Sequence, residues 1–307
     1  MTELSIEKNQ WLQLALRVKG SVIPGILPRV LFCGFFGLLI SILHPSIPVN
    51  WPILSSVVPN IVLGLLLVFR TNTAYDRFWE GRKLWGVLVS TARNFSRQVW
   101  VAVDEKEPKD EKEKIAALRL IVAFAVALKL HLRKEPVNEE LQALMGSDRF
   151  TTLRQIKHTP LTIAFWLGDY LQERYNRGCL SIYQLSEMKN LLDKMVDVLG
   201  GCERILKTPI PLAYAIHIKQ LLLLYCVALP FQLVSSLHWG TGPVVALISF
   251  TLFGIEEIGL EIEDPFGHDP NDLPLDAMCT TILRNVEELT SLSPAVRQDV
   301  GQSAISK

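Results

Sequence analysis

Between Arg29 and Arg70 the chain has no Asp, Glu, Lys or Arg for forty residues, and between Lys219 and Glu256 it has none for thirty-six. Segments this long and charge-free are excluded from an ordinary water-facing exterior. A helix crosses the hydrocarbon core with about 20 mostly apolar residues, so each gap holds two crossings and a turn. Metal and disulfide spacing is missing too. Cys33, Cys179, Cys202, Cys226 and Cys279 form no C-x-x-C and no His/Cys ligand pattern, which argues against a zinc motif or a disulfide framework. There is no H-E-x-x-H, no G-x-S-x-G and no glycine-rich phosphate loop, so the motifs of a membrane hydrolase or nucleotide-driven enzyme are lacking. No basic stretch leads into a short apolar core with a small-residue cleavage site, and a removable signal peptide is not expected.

What is present fits a protein half in the bilayer and half in water. The 307 residues are 49% hydrophobic but also 20% charged, with a mean hydropathy of +0.26. Lys plus Arg equals Asp plus Glu at 31 each, so net charge offers no pull toward nucleic acid, and only the distribution of charge is informative. Lys8, Arg17, Lys19 and Arg29 precede the first gap, and six basic residues between Arg70 and Trp100 follow it. The turn between them, His44-Pro45-Ser46-Ile47-Pro48, has no formal charge. The positive-inside rule then places both termini and the 70–208 stretch in the cytoplasm. Expected spans are 26–43, 53–69, 212–237 and 244–260, with Trp51 and Trp239 at the outer headgroup layer. The chain divides accordingly into a cytoplasmic segment 1–25, a first transmembrane hairpin 26–69, a cytoplasmic helical region 70–208, a second hairpin 209–260, and an acidic loop and tail 261–307.

Ile115–Leu132 competes for a span, but Arg119 and Lys129 leave only nine uncharged residues between them, a length suited to a buried core helix. The alternating charges of 104–114 suggest a solvated connector or exposed helix start. Leu185, Met188, Leu192, Met195 and Leu199 recur at helical spacing and predict one packing stripe. Thr162–Tyr175 has similar character and stops before Gly178, which can supply a left-handed terminator. No strand alternation or repeat of 20–50 residues competes, so the water-exposed part is expected to be helical and continuous with the spans.

The junction after the second gap, Arg70-Thr71-Asn72-Thr73-Ala74-Tyr75-Asp76-Arg77-Phe78-Trp79-Glu80-Gly81, and the stretch Ile262-Glu263-Asp264-Pro265-Phe266-Gly267-His268-Asp269-Pro270-Asn271-Asp272-Leu273-Pro274 after the fourth span resemble the bestrophin family, including its bacterial members. The resemblance covers roughly residues 20–290. It implies an all-α membrane protein: a homopentamer of four-span subunits with a helical cytoplasmic part around one axial pore. Matching through Arg77 and Trp79 places an apolar pore neck on Ile61, Leu65 and Phe69. Residues four apart stack on one helix face about 6 Å from each other along the axis, so five copies would stack three rings that gate by drying. In any apolar span the plain alternative is that such residues face lipid or pack. Pro59 and Gly64 suit a closely packed pore wall.

The family's second, cytoplasmic constriction falls on Cys179 when the match is slid back from Met188, against the alternative of a buried structural cysteine. Glu256–Asp276 holds eight carboxylates and no Lys or Arg. In eukaryotic bestrophins the equivalent loop binds calcium, and the matching side chains are Glu261, Asp264, Asp269 and Asp272. Oxygen ligands are what calcium takes. Pro270-Asn271 interrupts the family's continuous acidic run, so two roles stay open: a cation site, or a structural loop pairing with Arg70 or Arg77. No cofactor is required, and calcium is the one metal the resemblance admits. Glu256 and Glu257 are expected at the inner interface with Lys219 as a partner.

The resemblance implies a chloride-type anion channel rather than an enzyme, in keeping with the basic junction at Arg70, Arg77, Arg82 and Lys83 and the ring edge of Phe69. A cation-selective channel, which the inner carboxylates would suit, is the alternative; a secondary transporter or a non-conducting membrane protein ranks lower. Partners are other copies of the chain, inorganic ions and the lipid bilayer, with no nucleic acid. The expected location is the plasma membrane, with the thylakoid added in a photosynthetic host.

Overall fold

Every regular element among the described residues is helical, with no strand. The computed structural model describes residue 13 and residues 16–44 and 57–292. The outer turn with Trp51, the first residues of the expected second span and the Ser293-Pro294 tail lie outside them. In chain order the helices are α1 Ile23–Leu43, α2 Val57–Ala102, α3 Asp110–Arg133, α4 Glu139–Met145, α5 Ser147–Leu153, α6 Thr159–Asn176, α7 Ile182–Lys207, α8 Leu212–Leu237, α9 Thr241–Glu261 and α10 Leu275–Ser291. A short 3₁₀ turn, His238–Gly240, joins α8 to α9. The chain forms two units, Met1–Phe78 with Pro209–Asp272 and Trp79–Thr208 with Leu273–Lys307.

The first unit carries the charge-free helices. Its core is Ile26, Val30 and Cys33 from α1, Leu63 and Leu67 from α2, Ile218, Leu222, Cys226 and Leu229 from α8, and Val245 and Phe253 from α9. Lipid tails are as apolar as leucine, so burial alone does not hold such helices together. Close backbone approach does. A Cβ added to Gly37 would lie 3.0 Å from Gly242 Cα, and one added to Gly242 would overlap the Leu38 side chain and lie 2.9 Å from the Gly34 carbonyl oxygen. These glycines bring α1 and α9 together backbone to backbone. Ser41 Oγ then donates to the Gly37 carbonyl at 2.9 Å and to the His238 carbonyl at 3.0 Å, tying α1 to the 3₁₀ turn. Pro230 sits buried inside α8 without ending it, as spans tolerate when neighbours compensate the freed carbonyl. Gly64 has open space around its Cβ position. It is not a close-packing site within the subunit.

The second expected span does not stop at Phe69. It runs on as one helix to Ala102. No proline occurs between Asn60 and Ala102, and isolated glycines such as Gly81 and Gly86 cost only about 1 kcal/mol each relative to alanine. Helix propagation therefore continues until the Val103-Asp104 turn.

In the second unit α3 is the central helix, packed by α4, α6, α7 and α10. All residues from Leu120 to Leu130 are buried, as a helix apolar all round requires. The apolar window of α3 is 78% buried, against 33% for α1 and for the α8–α9 pair. That contrast marks α3 as a core helix. Leu185, Met188, Leu192, Met195 and Leu199 of α7 are all buried as one stripe. Ser181 caps α7 through a capping box with Gln184, and Gly178 (φ +68°) ends the turn after α6, where only a residue without Cβ is unstrained.

The charged segment 104–114 differs from a solvated connector in two positions. Asp110 and Lys114 are buried, at 1% and 2% exposure. Asp110 accepts from Arg174 Nη1 and Arg177 Nη1, both at 2.7 Å, and from the backbone N–H groups of Lys106 and Glu107, both at 2.9 Å. Alternation of sign hid this, because the partners of Asp110 lie some sixty residues away on α6 and its end.

Candidate functional site

On the part of α2 that belongs to the first unit, two stripes separate cleanly. Leu63 and Leu67 face the core at 5% and 2% exposure, while Ile61, Leu65 and Phe69 stand on the open face at 55%, 51% and 61%. The three form one i, i+4 row, as the sequence spacing demands, and neighbouring Val62 and Val68 are exposed beside them. The row passes at its inner end to polar Asn72, Thr73 and Asp76, all exposed. An apolar surface on one subunit thus gives way to a polar one along a single rigid helix.

Arg70 follows Phe69 but turns inward and is 1% exposed. Its Nη2 lies 3.4 Å from Glu263 Oε2, and its guanidinium fits against Gly259, where an added Cβ would sit 3.6 Å from Arg70 Nε. Glu263 also accepts the backbone N–H of Ile210 at 3.0 Å, while its carbonyl accepts Arg77 Nε at 3.2 Å. One residue therefore clasps the 70–77 stretch of α2, the start of the second hairpin and the acidic loop. Glu263 was not singled out from the sequence. Its only signal was its place between the fourth span and Asp264-Pro265. The basic junction is correspondingly divided: Arg70 is engaged inside the subunit, while Arg82 and Lys83 are exposed, with Lys83 lying over the Trp79 ring at 6.0 Å.

The four expected calcium ligands are not gathered. Among the described residues, no three of the carboxylates of Glu261, Asp264, Asp269 and Asp272 bring ligand atoms together as a metal-holding group. Glu261 accepts from Asn271 Nδ2 at 2.7 Å, Asp264 from the Phe266 N–H at 3.4 Å, and Asp272 from the Asp269 N–H at 2.7 Å. These are contacts that shape a loop. Farther along, Asp276 accepts from Lys129 at 2.8 Å and Arg133 at 3.0 Å. The Lys129 ammonium holds the Asp276 carboxyl below the usual carboxylate range.

Glu256 and Glu257 have Arg29 within ion-pair distance, at 3.8 and 3.0 Å, with the expected partner Lys219 acting on Glu256 from farther off. Glu256 is 2% exposed. Together with Arg29, Lys219, Phe32 and Phe253 it borders a cavity of about 540 Å³ within the first unit.

Cys179 is a correction. It is wholly buried, with its N–H donating to the Arg174 carbonyl at 2.8 Å and its carbonyl accepting from the Asp104 N–H at 3.0 Å. Assembly can only remove surface, so this side chain lines no aperture in this conformation and is a structural cysteine. The match had no anchor between Met188 and Gly178, and a slip of a few residues moves a side chain from surface to core. Ile182 and Tyr183, at the exposed start of α7, are 55% and 83% accessible.

The sequence profile of the Bacterial/Fungal Bestrophin protein family matches residues 4–288. A voltage-dependent anion channel-forming protein of Nostoc sp. (strain PCC 7120) is 59% identical over 303 residues, covering 98% of this chain and 99% of that protein. One of the same description from Synechocystis sp. (strain PCC 6803) is 56% identical over 285 residues, covering 92% and 93%. Among solved structures, a crystal structure of a bacterial bestrophin homolog from Klebsiella pneumoniae superposes with a TM-score of 0.79 at 31% identity, covering 89% of this chain and 100% of the other. The matches cover 89–98% of this chain and agree with the helical, membrane-type architecture: this protein is a membrane protein of the bacterial and fungal bestrophin family.

Proposed function

We propose that this chain is the subunit of an anion channel, in which five copies set the α2 stripe of Ile61, Leu65 and Phe69 around a common axis as an apolar, drying gate. The observation that carries this is the separation of the two α2 stripes, one filling the subunit core and the other left open along two turns of a single helix. Close relatives named as voltage-dependent anion channel-forming proteins support the sign of the permeant ion. The inner carboxylates give little support to a cation-selective pore, because Glu256, Glu257, Glu263 and Asp276 are each placed against an arginine or lysine of the same unit. Exposed Arg82 and Lys83, farther along α2, favour anions there. For the cytoplasmic constriction, exposed Ile182 replaces Cys179. The protein works as a conduit and not as a catalyst, with the termini and the second unit in the cytoplasm of a plasma or thylakoid membrane, and it needs no calcium.

The test is a reversal-potential measurement on purified protein in planar bilayers with asymmetric potassium chloride. A shift toward the chloride equilibrium potential, unaltered by adding or chelating calcium, is expected. A shift toward the potassium potential would replace the anion assignment with the cationic one, and absence of current would remove the channel.

A further inference from the structure

Three side chains far apart in sequence converge in the second unit: His131 in the last turn of α3, His158 just before α6 and Glu203 on α7. His131 Nε2 lies 2.7 Å and His158 Nε2 3.1 Å from the same oxygen, Glu203 Oε1. Both histidines approach that oxygen with the same nitrogen, and the two rings stack with centroids 4.9 Å apart and planes 23° from parallel. All three ligand atoms lie within 4.8 Å of one another. The other Glu203 oxygen accepts from Lys207 Nζ at 2.9 Å, which fixes the carboxylate and leaves Oε1 for the histidines. The side chains are 23%, 40% and 17% exposed, sheltered yet reachable. His131 also borders a cavity of about 600 Å³ lined by Lys134, Pro136, Leu153 and Thr159, a route for an ion and a source of water for a further ligand position.

We propose that His131, His158 and Glu203 form a binding site for a divalent transition metal of the zinc class, which clamps α3, α6 and α7 together. Two imidazole nitrogens and one carboxylate oxygen are a donor set that zinc takes with a fourth position left to water. Calcium and magnesium, which prefer all-oxygen shells, are disfavoured by the same set. A metal would take the Nε2 lone pairs of rings whose Nε2 atoms now face the shared carboxylate, with each ring's proton on Nδ1. No sequence motif announces the site, because its ligands come from three helices with no fixed spacing.

The experiment uses the full-length protein in detergent, with affinity tags removed and metal stripped by chelator. Titration with zinc at pH 7.5, read by calorimetry, should show one tight ion per subunit, and cobalt should give the visible absorption bands of a low-coordinate N/O site. His158→Gln, at the most exposed ligand, should weaken zinc about tenfold or more, as should His131→Gln. Melting temperature should rise with zinc in the wild type and not in either variant. Zinc-edge X-ray absorption of the wild type provides the arm that needs no variant, with two imidazole shells expected. Absence of stoichiometric binding, unchanged affinity in His158→Gln, or fewer than two histidine shells would overturn the site.

Discussion

Buried charge is where single residues decide most in this protein. Asp110 is enclosed with Arg174, which is itself fully buried. Burial alone would raise the carboxyl, but the backbone N–H groups of Glu107 and Lys106 and the guanidinium groups of Arg177 and Arg174 outweigh it and hold the group well below its ordinary range. A carboxyl depressed in the folded state stabilises fully above its unfolded value, near 4, and loses that contribution as pH falls below it. Asp110→Asn leaves Arg174 buried without its charge partner and should cost about 3 kcal/mol at neutral pH. The loss should shrink as pH falls below about 4, where the wild-type carboxyl gains a proton in the unfolded chain while the folded one is still ionised. Thermal unfolding in detergent at pH 7 and pH 3 checks both parts, and an equal difference at the two values would contradict the assignment. The charged character of 104–114 was legible in the sequence. Which of its residues would be enclosed was not, since burial depends on Arg174 and Arg177 arriving from another helix.

The elements obey their sequence pattern wherever the pattern is local. The 212–237 helix has the bounds expected of it, and the α7 stripe is buried as its three- and four-residue spacing requires. At α1 and α9 the decisive feature is the glycine contact. Gly242→Ala introduces a methyl into the space of Leu38 and the Gly34 carbonyl, an overpacking that should cost about 1–3 kcal/mol. Gly64→Ala meets open space, and should be neutral or slightly stabilising through helix propensity. Comparing the two melting temperatures separates a packing glycine from a tolerated one. For the open face of α2, Ile61→Ala, Leu65→Ala and Phe69→Ala combined should hold a drying gate open and raise single-channel conductance. Leu67→Ala, on the core face, should instead lower stability by about 2–5 kcal/mol. Unchanged currents in the triple variant would place its stripe against lipid.

At the scale of the whole molecule, the proposed pore needs partner copies to close the open stripe of α2 around an axis. Native mass spectrometry of the detergent-purified protein should give a particle of five 34.6 kDa chains; a monomer or a ring of another order would remove the fivefold neck. Self-association by a closed rotation is the economical way for one chain to enclose an axial path. An elongated α2 suits that task, since one unbroken helix carries both an apolar stretch and a polar one.

The amino-acid sequence alone determined the membrane character, the helical class and the approximate bounds of the apolar helices α1, α8 and α9, because charge-free length and helical periodicity act within a segment and need no partner. It also brought Ile61, Leu65 and Phe69 onto one row, because helix geometry makes residues four apart neighbours wherever the helix lies. The tertiary structure decided which row of α2 turns to the core, that Cys179 is enclosed, that Glu263 is the clasp on Arg70, and that His131, His158 and Glu203 meet. Each of these depends on which remote helix supplies the facing side chain, and periodicity within one segment carries no information about its neighbour.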